Sequence, residues 1–143
     1  MPQLKSSPII VKKGKKTFAI IILANHKYKG LQFYTSNKAD FQLATMLRPN
    51  KEFVLKHEHY KNLKKVNSIS KFMFIKSGQM LVNIYESIKS KKKLSSQILN
   101  SGDCILFFHG AMTFRMKKQT KIIEIKQGPH EPSKDKIYQK KLK

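Results

Sequence analysis

At 143 residues, 40% of them apolar and including 9 Phe and 5 Tyr, the chain has the size of one domain and the material for one core. A lone Cys104 excludes an intramolecular disulfide and any thiol-rich zinc site. The formal net charge of +22 attracts polyanions in general, but apart from Arg48 and Arg115 every cationic side chain is a lysine, and the lysines are spread along the whole chain. Readers of nucleic-acid sequence favour the bidentate fork of arginine. Lys, Ile and Asn share A/T-rich codons, so a base-biased genome enriches surface lysine without selection for binding. Non-specific nucleic-acid binding is therefore expected only as a polycation effect.

Residues 1–16 carry Pro2, Pro8, Gly14 and five lysines and read as a basic flexible arm. They lack the apolar stretch of a signal peptide. TFAIIILA (17–24) is too short to cross a membrane, which takes about 18–20 apolar residues, so a cytoplasmic protein with no membrane partner is expected. The same stretch is rich in β-branched residues and reads as a buried strand. LQFYT (31–35) follows the KYKG turn as a second strand, and FQLATML (41–47) fits a strand or a short helix that Pro49 ends. EFVLKHEH (52–59), KFMFIKSG (71–78) and QMLVNIYE (79–86) alternate as strands do, with Ser77-Gly78 as a hairpin signal. LSSQIL (94–99), the NSGD turn, CILFF (104–108), TFRM (113–116) and TKIIEIK (120–126) complete the series. From Gly128 to Lys143 two prolines and a run of lysines read as an extended basic tail. Short strands at roughly ten-residue spacing predict a sandwich or barrel over 17–127, and closing the sheet covers most of its edges.

Strand alternation puts His57 and His59 of FVLKHEHY on one face and Glu58 on the other. Two nitrogens then point toward one site, and a divalent ion needs at least one further ligand from a neighbouring strand.

H-x-H, the FIKSG strand and turn, SGDCIL with its second Gly turn, and IIEIKQGP follow in order. With YTSNKADFQLATMLRP, this set resembles small single-domain bacterial cupins over about residues 18–137. The resemblance implies an all-β fold, a cupin-type jelly-roll barrel or double-stranded β-helix. Cupin metal sites are usually three histidines and a glutamate. His57 and His59 match the first two, Lys71 stands at the glutamate position, and Met112, or Thr113 at a looser spacing, stands at the third histidine. His109 is the remaining candidate ligand, although a regular strand points it away from the face of Met112 unless the turn at Gly110 redirects it. An ammonium at Lys71 repels a divalent cation and a thioether suits mainly copper, so the motif is degenerate and no cofactor is expected. The divalent-metal alternative rests on His57, His59 and His109.

Without a metal the same pocket is cationic. His57, His59 and Lys71, with Arg115 at the rim, suit a carboxylate, a phosphate or sugar hydroxyls, with Phe74 or Phe107 as an apolar wall and Met112 beside them. Taken singly, Phe72, Phe74, Phe107 and Phe108 read as plain core. Similar small cupins accompany sugar-nucleotide and surface-polysaccharide genes, so the resemblance implies a sugar or sugar-nucleotide ligand. The alternatives are a metal-dependent isomerase, epimerase or dioxygenase, a basic nucleic-acid-binding protein, and a structural homodimer that pairs its apolar 17–24 strand. Cys104, at a strand start after Gly102-Asp103, reads as a small buried hydrophobe rather than a nucleophile. His130, in the KQGPH turn, is expected over the barrel mouth. Neither a Gly-rich phosphate loop nor a serine-hydrolase signature is present.

Overall fold

The structure is a computed structural model in which residues 6–139 are described. Ten strands form: β1 Ile9–Lys13, β2 Lys16–Ile22, β3 Leu31–Phe33, β4 Ala44–Met46, β5 Lys71–Ser77, β6 Gln79–Tyr85, β7 Lys93–Asn100, β8 Cys104–Phe107, β9 Ala111–Met116 and β10 Lys121–Lys126. The single helix among the described residues is the four-residue α1, Pro132–Asp135, with Pro at its first turn. The chain divides into two units, Lys27–Ser68 and the remainder.

In the larger unit, β-branched and aromatic residues at period two make each strand two-faced, and two antiparallel sheets bury one face each. One sheet runs β1-β2-β8-β5-β10 and the other β7-β6-β9. Between them lies a filled apolar core. Phe18 and Ile21 of β2, Met73 and Ile75 of β5, and Ile105 and Phe107 of β8 meet Met80, Val82 and Ile84 of β6 and Leu99 of β7. Each such side chain is removed from water almost completely, a contribution of roughly 1.5–3 kcal/mol apiece. From β5 onward the chain crosses repeatedly between the sheets, staying in one only for the β6-β7 pair, which places β5, β8 and β10 in one sheet and β6, β7 and β9 in the other.

Two expectations change here. Ser77-Gly78 is no hairpin turn, because β5 pairs with β8 and β10 while β6 pairs with β7 and β9. Gly78 is instead the corner at which the chain crosses from one sheet to the other. Its φ of 95° suits glycine, and a Cβ there would collide with the backbone of Gln119 and Thr120. The architecture is all-β and antiparallel, but none of the sheets closes on itself. Among the described residues β1, β10, β7 and β9 are the edge strands of these two sheets.

The arm also differs from expectation. Ile9–Lys13 is a strand whose Ile9, Ile10 and Val11 pair with Ile21, Ile20 and Ala19, because Ile9 and Val11 complete the core face beside β2. That pairing places the 17–24 stretch inside the sheet, between β1 and β8, so it offers no edge to a second molecule. Asp103 ties the NSGD turn down. Its carboxylate accepts from the backbone N–H of Ala24 at 2.8 Å and of Asn100 at 2.7 Å, and the side chain is buried.

The smaller unit is a two-stranded ribbon of β3 and β4, in register from Leu31↔Met46 to Phe33↔Ala44. Tyr34 and Thr45 share a hydroxyl–hydroxyl bond of 2.9 Å. After β4 the chain has no strand until β5.

Candidate functional site

The H-x-H stretch lies in the smaller unit, and the strand expected over 52–59 does not form. A strand is held by a neighbour's ladder, and no backbone–backbone bond joins residues 53–66 to any described residue. All of 52–59 is exposed. The His57 Nδ1–H donates to the Leu55 carbonyl at 2.8 Å. The rings of His57 and His59 stand edge to face with centroids 5.7 Å apart. Among the described residues no three His, Cys, Asp or Glu side chains gather as a metal-binding group.

The remaining predicted site residues lie in the larger unit, on different faces. Lys71 sits on the inward face of β5 with Met73 and Ile75, opposite Phe107 in register. Phe107 is core, its ring edge-on to Phe114 at 5.9 Å, and Met112 packs against the same core. Phe74 alternates with Met73 and Ile75 and therefore takes the outward face, in a row Ile22, Cys104, Phe74, Ile123 across the sheet. Arg115 likewise alternates with the core-packed Phe114, is exposed, and faces outward opposite Leu81. Phe74 and Arg115 thus do not share a pocket with Lys71, Phe107 and Met112. His109 lies in the turn between β8 and β9, edge-on to Phe18 at 6.4 Å. At the next residue, Gly110, the backbone lies against the Tyr85 carbonyl and Phe18, leaving no room for a side chain.

A different polar group comes together where β5 begins and β10 ends. The Lys71 ammonium lies 3.4 Å from the Glu124 carboxylate, and Lys71 is the more buried of the two. Lys126 pairs with Lys71 in register, and its Nζ lies 3.0 Å from Nδ1 of His130. One residue further along each strand, the Ser70 N–H donates to Oε1 of Gln127 at 2.6 Å. The hydroxyl of buried Ser70 and Nε2 of Gln127 are themselves buried with no hydrogen-bond partner among the described residues. Burying such groups unsatisfied costs roughly 1–3 kcal/mol each. Both can donate to one acceptor oxygen.

No protein-family model, curated protein or solved structure matches this chain.

Two further features are chemically quieter. Burial pushes the Cys104 thiol above its ordinary value, opposed by a backbone hydrogen bond at Ile22, while the neighbouring Asp103 charge adds to the rise. The protonated thiol is a poor nucleophile. In the smaller unit an open depression of about 830 Å³ is lined by Phe33, Phe41, Asp40, Gln42 and Lys64 among others. Two of its polar side chains are already engaged, the Gln42 amide donating to the carbonyls of Ser36 and Ala39 and Asp40 accepting from the Asn67 N–H.

Sequence reading finds Lys71 but not Ser70, Glu124, Lys126 or Gln127. No local signal marks them, since an unsatisfied buried donor is a property of packing. The register Lys71↔Lys126 is the step that brings them together.

Proposed function

We propose that the chain is a cupin-type module that binds a small, hydroxyl-bearing anion, of the sugar phosphate or sugar-nucleotide class, without a metal. The repeated crossing of the chain between two facing antiparallel sheets from β5 to β10 supports the cupin-type reading, as does the resemblance of the FIKSG, SGDCIL and EIKQGP segments. The observation that carries the ligand reading is the pair of buried, unsatisfied donors on Ser70 and Gln127 beside the half-sequestered Lys71. A phosphate or carboxylate oxygen accepts from the Ser70 hydroxyl and the Gln127 amide. The ammonium of Lys71 supplies the charge, and Glu124 accepts from ligand hydroxyls. The reading is metal-free because an ammonium stands where the resemblance implies a carboxylate ligand.

A thermal-shift and calorimetric screen with inorganic phosphate, sugar phosphates, sugar nucleotides and small organic acids tests the reading. The expected result is a stabilising hit that Gln127→Ala and Lys71→Ala each weaken by roughly tenfold or more, the scale of one charge-assisted hydrogen bond. His59→Ala in the same screen reports whether the H-x-H stretch takes part. A panel with no hit, or a hit indifferent to Lys71 and Gln127, sinks the proposal.

A further inference from the structure

Two structural elements each lack half of a ladder. β9 is the edge of the β7-β6-β9 sheet, and its inward Met112 and Phe114 pack on the core while Met116 is left 47% exposed. The segment Glu52–His57 has the alternation of a strand, yet among the described residues its only backbone–backbone hydrogen bond is the Glu52 N–H to Pro49 carbonyl contact of 3.3 Å. Its apolar side chains stand in solvent, Phe53 at 81% and Leu55 at 76%. Exposed apolar residues in a row on a strand-patterned segment are costly, and a free sheet edge is the template such a segment pairs with.

We infer that two copies of the chain exchange these segments, Glu52–His57 of each adding to the β9 edge of the other. An antiparallel addition, the sense of every ladder in the molecule, has a register that matches the apolar faces and covers Met116. It sets Phe53 opposite Met116, Leu55 opposite Phe114 and His57 opposite Met112. In that register Glu52 lies opposite Lys117 and diagonal to Arg115, so charges complement across the edge. Shifting by one residue turns Phe53 and Leu55 away from the core face. The exchange is reciprocal about a two-fold axis, as a closed dimer requires. It extends the three-stranded sheet by one strand in each copy and covers the half-exposed Met116. It stands independently of the ligand proposal, which concerns the β5–β10 end.

A second copy, rather than a polyanion, is the occupant because the match is made by Phe, Leu and Met facing one another. A chain of net charge +22 repels its own copy, so raised salt strengthens dimerisation by screening. Binding of nucleic acid through the same residues weakens with salt.

Sedimentation velocity over a concentration series, at low and high salt, tests this with Phe53→Arg and Met116→Glu chains. Both positions are solvent-exposed in the single chain, so folding is retained and checked by circular dichroism. Wild type is expected to dimerise more tightly at high salt, and each variant alone to lose roughly tenfold or more in association. An equimolar mixture of the two variants regains dimer, since one exchanged contact becomes Arg opposite Glu and the other is native. A wild type that stays monomeric throughout, or variants that dimerise as wild type does, overturns the inference. So does a mixture that stays monomeric, because the complementary charges on two copies then do not meet.

Discussion

Replacing Gly78 with Ala probes the corner that joins the two sheets of the larger unit. Gly78 sits at φ 95°, and a Cβ there falls 2.6 Å from Cα and from Oγ1 of Thr120 and inside contact distance of the Gln119 carbonyl oxygen. Two of these three neighbours are backbone atoms and cannot rotate away. The conformational cost of a non-glycine residue there is about 1–3 kcal/mol. Relieving the clash moves the 117–120 segment, which bonds to Gln79 through the Lys117 N–H at 2.8 Å and through the Thr120 hydroxyl at 3.1 and 3.2 Å. Losing about two of those bonds adds roughly 1–3 kcal/mol. The sum, roughly 2–6 kcal/mol, is a large part of the stability of a domain this size and lowers Tm by about 6–24 °C. Gly14→Ala is the control. Its φ is 58°, but nothing lies within 4 Å of the added carbon, so only about 1 kcal/mol is expected. Urea unfolding followed by far-ultraviolet circular dichroism measures both. If Gly78→Ala falls within about 1 kcal/mol of Gly14→Ala, the close approach of the two backbone segments at Gly78 is refuted.

Asp103→Ala removes two charge-assisted acceptors from the backbone N–H groups of Ala24 and Asn100, and the expected loss is about 3–5 kcal/mol. A urea midpoint close to wild type argues that Asp103 does not tether the turn. Ser70→Ala removes a buried hydroxyl with no partner among the described residues. It should leave stability unchanged or raise it by up to about 1 kcal/mol while weakening any phosphate or sugar ligand, and a clear loss of stability assigns the hydroxyl an internal bond. Cys104 in the folded chain should react with iodoacetamide at least roughly tenfold more slowly than in the urea-unfolded chain, and equal rates contradict its burial. Its folded thiol ionises above the ordinary value of 9.0. The stabilisation from keeping it neutral is therefore fully present below that value and lost as pH rises through the raised one. Wild type should thus lose stability relative to Cys104→Ala on the alkaline side, and a gap that stays constant with pH contradicts the shift.

Strand identity was legible from sequence because it is local. TFAIIILA, KFMFIKSG, QMLVNIYE, LSSQIL, CILFF and TKIIEIK each become a strand within a residue or two of the expected bounds, since β-branching and period two act over five to eight residues. The NSGD turn was legible too, because its Gly and Asp are chosen for conformation and local bonding. Only the tertiary structure decided what those strands do. Whether Gly78 is a hairpin or a corner depends on which sheet receives β6, and sequence holds no record of that pairing. Phe74 and Arg115 differ from Lys71 and Phe114 only in parity relative to a core that forms after the sheets meet. His57 and His59 have the pattern of a strand, but a strand exists only where a second one offers its ladder, and no described residue offers one to 53–66. The donors at Ser70 and Gln127 become a candidate site only because packing removed water from them. Propensity belongs to a segment and can be read along it. Pairing, facing and burial belong to two segments at once and arise only when the chain folds back on itself.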